Sequence, residues 1–455
     1  MTLEKIPTNH SHHSRRSHDS HHSKRDPHPN PVTKVNTGQA SVDSTTTAWL
    51  AGHLNHLTPE QEEALESFKA VCIEQQLYTP AKDEVRASHD DATLLRFLRA
   101  RKFDVNAALE QFRDTEEWRK ANQIDALYEN IDIESYDEAR KVYPQWTGRR
   151  DRRGIPIYVF VIRNLNNKNM ATYTSSASST TTSATHASSK VPPRLLRLFA
   201  LYENMTRFVL PLCSQLERPN PETPIVSTTN IVDISGVGLR QFWNLKGHMQ
   251  DASLLATAHY PETLDRIFII GAPAFFPTVW GWIKRWFDPV TTSKIFILSA
   301  SEVKPTLSSF MDPTCFPKQY GGELEWEWGN QPSLDAPAKE LAGVLDCVGE
   351  RGDADYTTGE RNGYVKGPVV WHGDRMEILG SVDGKERRRT IEVPKKRTEK
   401  VIGVEVPASD AATTAAAAAA TQEANSGATE NEKAIAPAAE ASVEATTAGK
   451  TISAS

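Results

Sequence analysis

Apolar positions recur at helical spacing from Ala48 to Asn122. In the segment HDDATLLRFLRARKFDVNAALEQFRDTEEWRK, Asp90 and Asp91 are cap candidates ahead of an apolar cluster of Leu94, Leu95, Phe97 and Leu98. A second start at Asp104 leads into Val105, Ala108, Leu109 and Phe112, again at helical spacing. This pattern predicts a small helical bundle with a basic corner, Arg99-Ala100-Arg101-Lys102, between two helices. Beyond Tyr143 the period changes. Ile155 to Val161, Asn230 to Ile234, Arg266 to Ile270 and Lys294 to Leu298 are short, nearly continuous β-branched or aromatic runs, the pattern of strands buried on both faces. Helical faces lie between them: Leu195, Leu198, Tyr202, Met205 and Val209 on the first, and Phe242, Leu245, Met249, Ala252 and Ala256 on the next. Strands alternating with helices predict an α/β layer architecture with a largely parallel sheet.

One run departs from this order. In FFPTVWGWIKRWFDPVTTSK, a helix from Thr278 to Phe287 would carry Val279, Trp280, Trp282, Ile283, Trp286 and Phe287 around most of its circumference. Such a helix is either buried on nearly all sides or meets an apolar partner. The Ser/Thr tract at 175–189 reads as a solvated loop insertion, and MEILGSVDGKERRRTIEV places Asp383-Gly384 between two candidate strands of a hairpin over 376–393.

Composition narrows the folded part. Residues 1–44 are rich in His and Ser with few large apolar side chains, and residues 401–455 are dominated by Ala, Thr and Glu, so both ends are expected to be disordered. A net charge of -6 gives no general case for nucleic-acid binding. The four cysteines form no CxxC pair, which fits a reducing compartment. No apolar run approaches the roughly 20 residues needed to span a bilayer, and there is no secretory core at the N-terminus. The expectation is a cytoplasmic, monomeric protein that reaches membranes only at their surface.

Recognised catalytic chemistry is missing from the sequence. It has no P-loop, dinucleotide fingerprint, GxSxG elbow or HExxH, so neither cofactor nor enzymatic turnover is expected. The His-rich start could hold a transition metal or be a plain polar tail, and it lacks a frame that would fix ligand geometry, so no metal site is expected. The basic tract at 385–400 is readable as a lipid-attracting patch, an import signal or a solvated linker. Asp233 and Asp265 read as a turn residue and a surface charge rather than catalytic acids.

Five stretches together resemble the CRAL-TRIO lipid-binding family, specifically its fungal phosphatidylinositol transfer branch. They are TLLRFLRARKFDV, YPQWTGRRDRRGIPIY, AHYPETLDRIFIIGAP, FDPVTTSKIFIL and FPKQYGGEL, spread in order over about 60–325. The resemblance implies a helical N-terminal domain (45–125) and a lipid-binding domain (140–325) whose sheet floors an apolar cavity behind a gate helix. A C-terminal extension (326–400) would follow. Carried over by motif, the phosphatidylinositol headgroup would meet Arg101, Lys102, Glu262, Thr291 and Lys294. A guanidinium, a hydroxyl and an ammonium are the donors that a phosphodiester requires. For a second lipid headgroup, Tyr158 and Tyr202 stand where the family places tyrosines against choline, Thr147 replaces a third tyrosine, and Thr228 and Asn230 stand at positions usually holding Ser and Thr. The second ligand is therefore phosphatidylcholine or a sterol-like or isoprenoid lipid. Trp280, Trp282, Ile283, Trp286 and Phe287 would form the gate and the membrane contact, with Lys284 and Arg285 facing anionic headgroups. The implied function is extraction and exchange of phospholipid at cytosolic membrane faces, or its presentation to a phosphoinositide kinase; the alternative is a carrier or sensor of a non-phospholipid apolar ligand, a sterol or isoprenoid.

Overall fold

The structure is a computed structural model that describes residues 47–83, 85–180, 193–286, 292–342, 358–359 and 364–393. The two expected tails, 1–44 and 401–455, lie outside the described residues, as do 181–189 of the Ser/Thr tract.

The helical lobe is built from α1 (Pro59–Glu74), α2 (Asp91–Ala100) and α3 (Val105–Ala121). Each begins at a side-chain oxygen that accepts an otherwise orphaned backbone N–H: Thr58 from Gln61, Asp90 from Thr93, and Asp104 from Ala107. The apolar stripe that follows each cap meets the others in one cluster of Phe68, Leu94, Leu98 and Phe112, all fully buried. Phe112 takes Phe68 and Phe97 edge-on at 5.7 and 5.0 Å. Two further helices, α4 (Ile124–Asn130) and α5 (Ile133–Arg140), lead into the sheet.

That sheet has five strands in chain order: β1 (Gln145–Arg150), β2 (Pro156–Val161), β3 (Thr228–Asp233), β4 (Leu264–Ile270) and β5 (Ile295–Leu298). β1 pairs antiparallel with β2 and the remaining pairs are parallel. Among the described residues the parallel strands are linked by α6 (Asn167–Thr180), α7 (Pro193–Asn204), α8 (Leu210–Gln215), α9 (Leu239–His259) and α10 (Phe276–Ile283), and α11 (Ala300–Phe310) follows β5. A π-helical turn, Met205–Val209, joins α7 to α8.

Three expectations are corrected. The strands are not buried on both faces. Ile157, Val159, Ile231, Phe268 and Leu298 close tightly against α11 and the residues after it, whereas Phe160, Val232, Ile267, Ile295 and Ile297 on the opposite face stay only partly buried. The Ser/Thr tract is not a loop throughout, because residues 175–180 continue α6. Asp265 is not a simple surface charge but an ion-pair partner of Arg153, whose guanidinium also meets Asp151. Asp233 does serve a turn, accepting from the Ser235 N–H at 2.8 Å and from the Tyr320 hydroxyl at 3.1 Å.

Past α12 (Ala336–Leu341) come short strands: β6 (Thr358–Gly359), β7 (Tyr364–Val365), β8 (Val369–Trp371), β9 (Arg375–Ile378), β10 (Ser381–Val382), β11 (Lys385–Glu386) and β12 (Arg389–Glu392). The expected hairpin is present: β9 pairs antiparallel with β12, and Asp383-Gly384, at φ +50° and +75°, turns β10 into β11. It is docked as well. The Tyr128 hydroxyl donates to the Val369 carbonyl at 2.7 Å and accepts from its N–H at 2.9 Å.

Candidate functional site

Parallel register carries side chains straight across the open face of the sheet. Trp146 pairs with Tyr158, Tyr158 with Asn230, Asn230 with Ile267, and Ile267 with Ile295, giving one row. The next row is Phe160, Val232, Ile269 and Ile297. These rows floor an apolar trough, walled by Leu201 and Tyr202 of α7 and by Phe242, Met249 and Leu255 of α9. Apolar groups that are enclosed by helices yet retain accessible surface are what a ligand compartment requires, since a finished core would leave none.

α10 lies across the trough. Phe276 and Val279 are buried, Phe276 stacks on Trp280 at 6.2 Å, and Trp282 faces outward at 42% exposure. The continuous helix predicted from Thr278 to Phe287 is instead Phe276–Ile283 followed by a 3₁₀ turn, Lys284–Trp286. Phe287, Thr291 and the side chains of Ile283 and Trp286 lie outside the described part of the molecule. Lys284 and Arg285 are exposed, as a headgroup-facing pair would be. Trp282 is not alone on the surface. Its ring lies 5.4 Å from that of Trp243 on α9, itself 45% exposed, and the Lys246 ammonium sits 5.3 Å from the Trp243 ring.

The residues expected to meet the phosphate are set at the edge where β4 and β5 begin. Glu262 occupies the turn from α9 into β4 at φ +58°, a strained value for a residue with a Cβ. Its carboxylate accepts from the Arg99 guanidinium at 2.9 Å and lies 3.9 Å from the Lys294 ammonium, which also donates to the Leu264 carbonyl at 3.3 Å. Arg101 and Lys102 stand exposed just past the C-terminus of α2, where helix carbonyls favour cations. Lys102 and Phe103 are both left-handed, at φ +53° and +63°, so the chain reverses sharply there. Two cations, Arg99 and Lys294, therefore lie against one carboxylate. The structure brings Glu262 and Lys294 together, leaves Arg101 bonded among the described residues only to the neighbouring Ala100 carbonyl at 3.4 Å, and adds Arg99, which sequence reasoning missed.

At the opposite side of the floor, Tyr158 and Tyr202 are half-buried and border the same aromatic cluster. Burial pushes the Tyr202 phenol up to about 12. Thr228 and Asn230 bond one another, the Asn230 amide donating to the Thr228 hydroxyl at 2.9 Å, and Thr228 also donates to the Thr263 carbonyl at 3.2 Å. Thr147 is fully buried, its hydroxyl donating to the Ile157 carbonyl at 3.0 Å. Among the described residues no group of three His, Cys, Asp or Glu side chains is arranged to hold a metal, and no helix is long and apolar enough to cross a membrane.

Comparison with known proteins follows the same outline. The CRAL/TRIO domain matches residues 140–322, and the CRAL/TRIO N-terminal domain matches residues 64–114. A SEC14 cytosolic factor of Yarrowia lipolytica is 33% identical over 306 residues, which span 66% of this chain and only 56% of that protein. The Sec14 cytosolic factor of Schizosaccharomyces pombe is 30% identical over 290 residues, covering 64% of this chain and 91% of its own length. The phosphatidylinositol/phosphatidylcholine transfer protein SFH7 of Arabidopsis thaliana is 30% identical over 260 residues, 57% of this chain and 43% of that one. Two domains in the right order, a sheet with one open apolar face and a relative matched over nearly its whole length lead to one assignment: the chain belongs to the CRAL/TRIO domain family.

Proposed function

We propose that this protein binds one phospholipid at a time in the trough and exchanges phosphatidylinositol for a choline phospholipid between cytosolic membrane faces. The observation that carries the reading is the convergence of Arg99 and Lys294 on Glu262, beside the exposed Arg101 and Lys102, at the rim of an apolar compartment. An inositol phosphodiester offers the anion for those cations and hydroxyls for Glu262. Thr291 adds a hydroxyl donor by its place in the motif. Tyr158, Tyr202, Thr228 and Asn230 border the second headgroup, and the printed names of the plant relatives, which join phosphatidylinositol to phosphatidylcholine, favour that lipid over a sterol.

Exchange is governed by its barrier. Burying roughly thirty methylenes at about 0.8 kcal/mol each gives about 25 kcal/mol, and the bilayer returns nearly the same amount. The protein assists by meeting the membrane and opening a sheltered path for the chains. α10, with Trp280 inward and Trp282 outward, is the gate of that path, and presentation of the held lipid to a phosphoinositide kinase is a second use of the same opening. The protein acts as a monomer, and no catalytic step is part of the reading.

The test is transfer of labelled lipids between vesicles by the double variant Arg101→Ala, Lys294→Ala. Losing two charge-assisted contacts, each worth about 1.5 to 3 kcal/mol, should cut phosphatidylinositol transfer by at least about ten-fold. Phosphatidylcholine transfer, which uses the trough without this cation cluster, should persist. Unchanged phosphatidylinositol transfer would refute the site assignment.

A further inference from the structure

The segment after Trp328 lies beyond both matched domains, yet it reaches the second headgroup region. β7 sets Tyr364, 6% exposed, edge-on to Trp146 at 6.3 Å, and Trp146 is the register partner of Tyr158 across β1 and β2. Tyr158 and Tyr202 both pack on the cluster that contains Trp146 and Tyr364. Phe208 closes on Trp146 from another side at 6.5 Å. Tyr364 is also the ionisable neighbour that most influences Tyr158, after burial itself. None of the three phenols of Tyr158, Tyr202 and Tyr364 has a hydrogen-bond partner among the described residues, in contrast to Tyr128, Tyr260 and Tyr320, which all do. Their oxygens are not among the fully enclosed polar atoms, so three unpaired phenols in one cluster stay open to a polar group that arrives from outside the chain.

We propose that Tyr364 is a specificity-determining residue for the second lipid: with Tyr158 and Tyr202 it forms an aromatic compartment for a quaternary-ammonium phospholipid headgroup, supplied in part by the C-terminal extension. This rests on the reading that the trough carries phospholipid. The ring faces take the ammonium, which has no N–H to donate, and the phenols donate to the phosphodiester. Burial pushes Tyr202 and Tyr364 up to about 12, so both remain neutral donors at physiological pH.

The full chain, with Tyr364→Ala and Tyr364→Phe, is loaded from vesicles of equal parts phosphatidylinositol, phosphatidylcholine and phosphatidylethanolamine, and the captured lipids are identified by mass spectrometry. The wild type should prefer the choline lipid to the ethanolamine lipid; equal capture of the two would overturn the ammonium assignment. Tyr364→Ala should lower the phosphatidylcholine to phosphatidylinositol ratio about ten-fold, and Tyr364→Phe, which keeps the ring, about three-fold. An unchanged ratio in both variants, or equal loss of both lipids, would reduce Tyr364 to a packing residue and end the proposal. Should the Ala variant fail to fold, the ratio in the Phe variant decides alone. Wild-type protein that captures no phospholipid would instead refute the underlying function.

Discussion

Arg99 and Arg101 sit two residues apart at the end of α2, so about 200° of helical rotation separates their side chains and only one of them can face Glu262. The motif alone does not say which. In the structure Arg99 takes the carboxylate and Arg101 is left to solvent, where it remains available to a headgroup. Glu203 illustrates the other side of residue-level reading. It is 2% exposed and receives Arg119 at 2.7 and 3.1 Å and the Tyr260 hydroxyl at 2.7 Å, tying α3 to α7. The i,i+4 neighbour Arg207, 3.7 Å away, is its only local ion-pair partner among the described residues, and the two that make its short bonds lie 84 and 57 positions away in the chain. Glu203→Ala should lower stability by about 1.5 to 3 kcal/mol, since it removes the charge-assisted bonds to Arg119 and Tyr260 while Arg119 keeps Asp125 at 2.8 Å. A loss below about 1 kcal/mol in urea unfolding would contradict that role.

Elements were legible where the period was strong. β2 to β5 are short runs of β-branched and aromatic residues, and every one of them forms a strand. β1, QWTGRR, has one large apolar side chain in six residues and is held by its antiparallel partner rather than by any pattern of its own. The mistaken expectation of two buried faces has a physical reason. A strand flooring an apolar trough needs the same continuous hydrophobicity as one sandwiched between packed layers, so sequence does not distinguish the two. α10 and α9 together present Trp282 and Trp243 at the surface beside Lys246, which suits a membrane interface better than either element alone. Trp243→Ala with Trp282→Ala should weaken binding to phosphatidylinositol-containing vesicles about thirty-fold, on the order of 1 kcal/mol being lost per indole. Unaltered co-sedimentation would place the membrane contact elsewhere.

For the whole molecule, pH is a lever through buried imidazoles. Burial lowers His53 and His259 to about 4, with the Arg99 charge adding to the effect at His53. His53 bonds the Leu50 carbonyl at 3.1 Å and also faces Asp265, while His259 stacks on Trp118 at 4.0 Å between Asp114 and Arg119. Because the unfolded chain takes up these protons first, near the ordinary value of 6.5, their stabilising contribution is complete above that pH and declines as pH falls toward 4. Urea midpoints should therefore drop on acidification from pH 7 to pH 4.5. The double variant His53→Gln, His259→Gln should lose less over that interval, and equal losses would show that other groups control the response. The docked extension is legible at this scale only by half: Asp383-Gly384 announces a hairpin, but its attachment runs through Tyr128 and Val369, 241 positions apart.

Glu262 gives the molecule a resident counter-ion. Between lipids, Arg99 and Lys294 are not bare cations in a half-covered cleft, since the carboxylate already lies 2.9 and 3.9 Å from them. On the proposed reading, an arriving phosphodiester would replace an existing partner instead of quenching an uncompensated field, and a departing one would return the cations to it. Capture and release are thereby brought closer to electrostatic balance. A carrier needs that symmetry more than it needs tight binding, because a headgroup that cannot be surrendered cannot be delivered.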